Sequence, residues 1–434
     1  MFPTLNYLIN YLFGTNITFN FPPTFGFMVA LAFLSAAWVL SMELKRKEKL
    51  GLVKGIQKKV VVGKPASFME LILNGLMGFV IGFKILGAIT EPELFKPNPQ
   101  AYLLSGHGNW LGGVVMGGLF AYLKYREKEK TKLAQPREEI ITFRPYQLVG
   151  NITLVAALWG IIGAKIFHNL EYWDQFMADP VGGLISASGL TFYGGLIAGF
   201  LGVWWYVRKN KLPLIHVADS VAPGLILAYG VGRIGCLLAG DGDWGIINSA
   251  YRIDDHRNYS LVEPEQIQQD LLAVSITGVP LYSYYDNSPE KVDYAYFKKP
   301  RGLSFLPDAF FAFDFPHNVN EEGVPISGCN GQYCNKLPLP VFPTPIYETL
   351  MAFLIFGILM ALRTKINVAG QIFFLYLVLN GVERFMIEQI RVNSTYHLFG
   401  MEITQAEIIA TFLIVIGLVG VLSVKKWESK LLKM

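Results

Sequence analysis

The chain has 434 residues, of which 52% are hydrophobic and only 16% are charged, and its net charge is +4. Soluble domains usually carry about 25% charged residues, so this composition excludes an ordinary soluble protein and favours a membrane protein. Three cysteines exclude a disulfide-dense scaffold. The first basic residue is Lys45, so no positively charged region of a cleavable signal peptide precedes the first apolar segment, and we expect that segment to be retained.

Nine apolar segments approach the length of about 20 residues that a helix needs to cross a bilayer. They begin near Phe25, Phe68, Leu111, Tyr146, Leu190, Val217, Ile346, Gln371 and Ile403. The loops between them are alternately basic and poorly basic. Since cytoplasmic loops are enriched in Lys and Arg, the N-terminus is predicted outside and the C-terminus in the cytoplasm. The sequence thus predicts an all-α polytopic membrane protein with about nine transmembrane helices, forming one membrane domain over residues 1–434.

The long segment 245–345 is predicted to lie outside the membrane. It contains twelve Asp or Glu against seven Lys or Arg, and many Pro, Tyr and Asn residues. A separate soluble domain is one interpretation; we favour an irregular arm packed on the membrane domain. Cys329 and Cys334 lie in this arm, and an oxidising compartment favours a disulfide between them over two free thiols.

Two predicted hairpins resemble each other, one over residues 68–124 and one over 146–207. Gly-Phe-Lys-Ile from Gly82 matches Gly-Ala-Lys-Ile from Gly163, and Leu-Gly-Gly from Leu111 matches Tyr-Gly-Gly from Tyr193. Chance recurrence of glycine-rich packing patterns is the alternative. Both copies run in the same direction. Inverted repeats are common in transporters, so this parallel repeat argues against a transporter.

Polar residues gather at the predicted outer ends of the spans, although an ionisable residue inside a span costs roughly 2.5–3.5 kcal/mol. Helical periodicity places Asn380, Arg384, Glu388 and Arg391 on one face. The other members of this set are Lys84, Lys165, Tyr193, Arg233, Asp241, Tyr347 and Glu348. Interface anchors and structural ion pairs are one interpretation. Because Arg forms bidentate hydrogen bonds with phosphate, we favour a lipid-headgroup site in the outer leaflet.

The sequence lacks the motifs of two common kinds of catalytic site, the metal site and the serine hydrolase site. The sequence has no HExxH and no His or Cys set at metal-ligand spacing, so we predict no metal and no cofactor. It also has no GxSxG motif of a serine hydrolase.

Four segments in order resemble the prolipoprotein diacylglyceryl transferase family. They are GLTFYGGLI at 189–197, the stretch 217–245 with VADSVAP, GRIG and AGDGDWG, PTPIYE at 343–348, and RFMIEQIR at 384–391. A weaker match is FGF at 25–27 in the first span. The resemblance implies seven spans with the N-terminus outside and the C-terminus inside. Nine spans then equal the family core plus one extra hairpin, which we assign to 68–124 because the second copy carries the family motif.

The resemblance also implies a reaction. The diacylglyceryl group of phosphatidylglycerol moves onto the lipobox cysteine thiol of a prolipoprotein, forming a thioether and releasing glycerol 1-phosphate. The implied location is the bacterial inner membrane, with the site facing the periplasm and with no nucleic-acid partner. The alternatives are a lipid-binding or transport protein of the outer leaflet, and a non-catalytic family member.

By this resemblance Arg233 is expected to hold the lipid phosphate, and Arg384 to stabilise the departing charge. Tyr193 stands where many members have His, and we expect it to position substrate. Thiol deprotonation would fall to Glu388, Glu348 or Asp241, unless Glu388 orients Arg384. The residues expected to bind substrate are Arg233, Gly194, Gly195, Gly235, Gly240, Gly245, Tyr347, Glu348 and Arg391.

Several positions depart from the family pattern. Phe25 stands where the family has a tyrosine, and the stretch 241–245 has one extra residue. Cys236 and Ala239 stand where the family signature commonly has asparagines. We expect Cys236 to be a small residue at a tight helix contact rather than a nucleophile.

Overall fold

A computed structural model describes residues 1–18, 22–95, 99–185, 189, 191–286, 288–393, 395–398 and 401–431. Its helices are α1 (Leu5–Phe13), α2 (Thr24–Lys49), α3 (Phe68–Thr90), α4 (Pro92–Phe95), α5 (Pro99–Leu104), α6 (Trp110–Lys130), α7 (Val149–Glu171), α8 (Trp173–Ala178), α9 (Pro180–Ile185), α10 (Phe192–Lys209), α11 (Leu214–Ala239), α12 (Gln266–Leu272), α13 (Thr344–Leu362), α14 (Gln371–Glu388) and α15 (Gln405–Leu431). Its strands are β1 (Ile56–Val62), β2 (Arg137–Phe143), β3 (Ile247–Asn248), β4 (Tyr251–Ile253), β5 (Tyr259–Leu261), β6 (Tyr294–Ala295), β7 (Val324–Pro325), β8 (Asn335–Lys336), β9 (Thr395–Leu398) and β10 (Met401–Thr404).

The long helices follow the predicted apolar segments. Within the described residues, each of the nine segments coincides with a helix of 18 residues or more. Six of these helices are long and apolar enough to cross a membrane: α2, α3, Pro145–Glu171 with α7, α11, α13, and Gln405–Lys426 within α15. The protein is therefore mostly helical and has several candidate membrane spans. Because short strands occur between the long helices, the prediction of an all-α protein is too narrow.

The chain divides into two compact units of packed helices. The first unit contains Met1–Thr18, Pro22–Glu43 and the chain from Leu214 onward, and the second contains Leu44–Pro213. In the second unit α3 packs on α6 and α7 packs on α10.

The second unit contains two similar strand–hairpin segments. Strand β1 precedes the hairpin of α3 and α6, and β2 precedes the hairpin of α7 and α10. The two strands pair antiparallel, with Ile56 opposite Phe143 and Val62 opposite Arg137. The similarity noted in the sequence thus extends to the strand in front of each hairpin.

Matching glycines bring the two helices of each hairpin together. A Cβ atom on Gly82 would lie 2.2 Å from the carbonyl oxygen of Gly112, and one on Gly163 would lie 2.4 Å from that of Gly194. Any side chain there would push the helices apart, so both hairpins need glycine at the same place in the repeat.

The arm over residues 245–345 belongs to the first unit and has a small apolar core. Ile247, Leu271, Phe315 and Val341 are buried in this core, with Trp244 packed against it. The arm consists of short strands, one seven-residue helix and 3-10 turns. Cys329 and Cys334 form a disulfide, with their Cα atoms 5.6 Å apart.

Backbone contacts join the ends of three long helices in the first unit. Helix α11 ends at Ala239, and the chain turns at Gly240, whose φ of +65° favours glycine. The Gly245 N–H then donates to the Phe342 carbonyl, just before α13, at 2.9 Å. The next N–H, of Ile246, donates at 2.9 Å to the carbonyl of Ile390, just after α14. The C-terminal ends of α11 and α14 therefore lie beside the N-terminal end of α13.

Candidate active site at the ends of three helices

Three arginines meet at one buried carboxylate, that of Glu348 in the first turns of α13. The Glu348 side chain has no exposed surface. Its Oε2 atom lies 3.1 Å from Nε of Arg233 on α11, and its Oε1 atom lies 3.5 Å from an Nη1 atom of both Arg384 and Arg391. Since a buried charge is tolerated only when it is paired, Glu348 fixes the position of all three guanidinium groups.

Asp243 forms a second junction between the same helices. Its carboxylate pairs with both Arg233 and Arg391. The Thr344 hydroxyl donates to the Asp243 carbonyl at 2.7 Å, which ties this turn to the start of α13. Burial alone would raise the pKa of Asp243, but the charges of Arg233 and Arg391 outweigh it and lower that pKa. Asp243 is therefore ionised at neutral pH.

Arg384 links the first junction to a third acid. Its Nη2 atom lies 3.2 Å from Oε2 of Glu388, one helical turn further along α14. Asn393 donates to the other Glu388 oxygen at 2.7 Å. Helical periodicity predicts one face for Arg384, Glu388 and Arg391, but α14 ends at Glu388, so Arg391 lies beyond the helix. All three side chains nevertheless join one arginine–carboxylate network, which consists of Arg233, Arg384, Arg391, Asp243, Glu348 and Glu388.

Three residues at this site have no role predicted from the sequence. Asp243, in the AGDGDWG motif, is one of them. Tyr229 lies one turn before Arg233, and its hydroxyl donates to Glu348 at 2.9 Å. Glu383 is 2% exposed and lies 3.3 Å from the same hydroxyl. Two features of the sequence could have indicated these residues. Glu383 is an acid next to Arg384 in an apolar helix, and Tyr229 lies four residues before Arg233.

Cys236 and Asp241 lie beside the network. The Cys236 sulfur is buried and 3.6 Å from both Arg233 and Asp243. Burial foremost, and then the charge of Asp243, raise the pKa of Asp241. Ligand atoms of Cys236, Asp241 and Asp243 lie within 4.8 Å of one another, a spacing that a metal ion could use. Two guanidinium groups contact Asp243, however, and their positive charge opposes a cation there.

Four of the remaining predicted substrate-binding residues make structural contacts in the first unit. A Cβ atom on Gly235 would lie 2.8 Å from the Met28 side chain, and one on Gly245 would lie 2.5 Å from the Ile390 carbonyl. Gly240 supplies the left-handed turn after α11. The Tyr347 hydroxyl donates to the Phe310 carbonyl at 2.6 Å. Gly235 and Gly245 thus permit close packing, Gly240 permits the turn, and Tyr347 makes a hydrogen bond to the backbone.

Tyr193, Gly194 and Gly195 belong to the second unit, at the start of α10. Tyr193 is half-buried there. A Cβ atom on Gly194 would lie 2.6 Å from the Gly163 carbonyl, and one on Gly195 would lie 3.1 Å from the Gly160 carbonyl. Both glycines therefore permit close packing of α10 on α7.

The two lysines of the repeat also lie in the second unit. The Lys84 ammonium donates to the carbonyls of Tyr102, Ser105 and His107 at 2.9, 2.5 and 2.8 Å. Lys84 thus holds the loop of the first hairpin. Lys165 is buried in α7.

Comparison with known proteins identifies the family. The family model for prolipoprotein diacylglyceryl transferase matches residues 109–423, which include the whole arginine–carboxylate network. The chain belongs to the prolipoprotein diacylglyceryl transferase family. The match confirms the resemblance seen in the four sequence segments. Helix α3 of the first hairpin lies before residue 109, where the family match starts, while α7 and α10 of the second hairpin lie within the match.

Individual members of the family are similar over part of their length. The phosphatidylglycerol–prolipoprotein diacylglyceryl transferase of Corynebacterium efficiens is 29% identical over 265 residues, which are 59% of this chain and 62% of that protein. The enzyme of that name from Corynebacterium glutamicum is 28% identical over 264 residues, 59% of this chain and 64% of that protein. A Clostridium perfringens transferase is 38% identical over 135 residues, 30% of this chain and 46% of that protein. The chain thus spans less than two thirds of the length of these curated relatives.

Proposed function

We propose that this protein transfers the diacylglyceryl group of phosphatidylglycerol to the lipobox cysteine thiol of prolipoproteins, forming a thioether and releasing glycerol 1-phosphate. The observation that carries the proposal is the convergence of Arg233, Arg384 and Arg391 on buried Glu348. All four residues lie within the part of the chain that matches the family. Three positioned guanidinium groups suit a phosphate better than any other common lipid group.

The arginines fit the charge that this reaction develops. The thiolate sulfur attacks a glyceryl carbon, the bond from that carbon to the phosphate oxygen breaks, and the leaving phosphate gains a negative charge. Guanidinium groups stabilise this monoester more strongly than the starting diester, which lowers the barrier. Glu348 and Asp243 hold the guanidinium groups in place, so little reorganisation is needed when the lipid phosphate takes over some of their hydrogen bonds.

Asp241 is the acid best suited to take the proton of the thiol. Glu348 and Glu388 pair with arginines, whereas no guanidinium pairs with Asp241 among the residues that the structure describes. One of its oxygens, Oδ1, is buried without a hydrogen-bond partner. Burial raises the pKa of Asp241, which makes it a stronger base than an exposed aspartate. We assign Tyr193 a positioning role, because a phenol hydroxyl donates a hydrogen bond more readily than it accepts a proton.

We propose that the protein lies in the bacterial inner membrane with nine spans, the N-terminus outside and the network facing the periplasm. Alternation of basic loops supports this orientation. The Cys329–Cys334 disulfide supports an oxidising compartment for the arm. The extra hairpin over 68–124 would be an addition to the family core.

The test is incubation of the purified protein with phosphatidylglycerol and a lipobox peptide, followed by mass spectrometry. The expected product is a peptide carrying a diacylglyceryl group on its cysteine, in wild type and in the control Arg208→Ala, which alters an exposed arginine of α10. Arg233→Ala should give no adduct while lipid still copurifies. Lipid flux in proteoliposomes without peptide, and no adduct, would favour a transporter; bound lipid with neither adduct nor flux would favour a non-catalytic binder.

A further inference from the structure

The hydroxyl of Tyr229 lies between two buried carboxyl groups. It is 2.9 Å from Oε1 of Glu348 and 3.3 Å from Oε1 of Glu383. Glu348 is 0% exposed and Glu383 is 2% exposed, so water cannot solvate either group. A phenol has one proton and can donate it to only one of the two. The other contact is favourable only if that carboxyl group carries a proton of its own.

The charges of the network indicate which acid carries the proton. Three arginines face three carboxylates with which they form ion pairs, those of Asp243, Glu348 and Glu388. Among the described residues no guanidinium or ammonium group pairs with Glu383, and its Oε2 atom has no hydrogen-bond partner. An ionised Glu383 would be a surplus negative charge in a buried site, which is costly.

We infer that Glu383 is held in its neutral, protonated form and that, with Tyr229, it is a positioning residue for the arginine site. The Glu383 hydroxyl donates to the Tyr229 oxygen, and the Tyr229 hydroxyl donates to Oε1 of Glu348. The bond from Tyr229 withdraws charge from the carboxylate that the three arginines share. The arginines are therefore held less tightly by Glu348 and are more readily available to a phosphate group.

The kinetic consequence rests on the proposed function, but the protonation state does not. If Tyr229 no longer donates to Glu348, that carboxylate should compete better with phosphate for the arginines. The Michaelis constant for phosphatidylglycerol should then rise, while kcat changes little. A merely structural role would instead lower kcat and thermal stability together.

Infrared spectroscopy of the purified protein tests the protonation state without any assay of activity. A protonated carboxyl group gives a C=O stretching band separate from that of carboxylates. Wild type should show such a band and Glu383→Gln should lack it. Tyr376→Phe, which alters α14 without removing a carboxyl group, should keep the band. A spectrum of Glu383→Gln that retains the whole band, in folded protein, would overturn the inference even if transfer is observed.

Kinetics with the lipobox peptide test the positioning role. Tyr229→Phe should raise the Michaelis constant for phosphatidylglycerol by about tenfold, with kcat within about twofold of wild type. Glu383→Ala should show a similar rise, and Glu383→Gln should restore most of it, because an amide N–H can donate to Tyr229 as the protonated acid does. A Glu383→Gln protein as impaired as Glu383→Ala would show that ionised Glu383 is needed and would refute the inference. If wild type itself gives no transfer, the proposed function fails while the infrared result stands.

Discussion

Arg233 and Glu348 form an ion pair in which Nε lies 3.1 Å from Oε2, across the ends of α11 and α13. Glu348 also lies within 3.5 Å of Arg384 and Arg391, so one fully buried acid organises three cations. The side chains of the three arginines are 26% exposed or less, and electrostatic interactions there are stronger than at a fully exposed surface. A phosphate entering this site would meet guanidinium groups that are already oriented.

Glu348→Gln should destabilise the protein and abolish transfer. Removing one partner of a buried ion pair typically costs about 3–5 kcal/mol, because the remaining charge stays buried without compensation. The measurement is thermal unfolding in detergent, compared with Glu138→Gln, which changes an exposed acid of β2. An unaltered melting curve for Glu348→Gln would show that Glu348 does not balance the arginines.

Arg384→Lys should lower the transfer rate by about 100-fold, because a lysine ammonium cannot reproduce two separate contacts of a planar guanidinium. The Nη1 atom of Arg384 contacts Glu348, and its Nη2 atom contacts Glu388. Arg137→Lys, at an exposed position in β2, is the matched control and should retain the wild-type rate. Full activity in Arg384→Lys would mean that charge alone suffices at this position.

Gly245→Ala should impair the site by moving Arg391. The added Cβ atom would lie 2.5 Å from the Ile390 carbonyl, so the chain before Arg391 must shift. We expect a loss of transfer of at least tenfold, since small displacements of catalytic groups are costly. Gly357→Ala in α13, where nothing lies within 4 Å of the new atom, should behave as wild type. Equal rates for the two variants would argue against the close contact at Gly245.

Asp241→Asn should stabilise the protein at neutral pH and slow transfer. Burial first, and the charge of Asp243 second, raise the pKa of Asp241 above its ordinary value of 3.8. The folded state therefore binds this proton more tightly than the unfolded state, so stability is lost as pH rises through that raised pKa. Asparagine avoids the loss, and its advantage should disappear below the ordinary pKa, where Asp241 is protonated in both states. A lower melting temperature at neutral pH would contradict this prediction.

The long helices and part of the site could be predicted from the sequence because their signals are local. Apolar runs of about 20 residues mark helices wherever they occur. Arg384 and Glu388 are one helical turn apart, so their shared face was evident without any tertiary contact. Arg391 lies beyond the end of α14, and its backbone pairs with that of Gly245. The other predicted site residues, including Arg233 and Glu348, came from the resemblance of four ordered segments to the family.

Other features depend on contacts between elements distant in sequence. Tyr229 and Glu383 are 154 residues apart, and nothing in either segment alone shows that they meet. Gly235 and Gly245 are each packed against another element of the chain, a contact that the sequence motifs alone do not show. The division into two compact units could not be read from composition either, because both units contain apolar helices.

The most direct measurement is the joint release of glycerol phosphate and formation of the thioether, followed over time in proteoliposomes containing phosphatidylglycerol and a lipobox peptide. The wild-type protein should produce the two products in equal amounts, and Arg233→Ala should produce neither while remaining folded. Thioether formation at the wild-type rate by Arg233→Ala, or glycerol phosphate release by wild type without any thioether, would contradict a transfer reaction centred on the guanidinium group of Arg233.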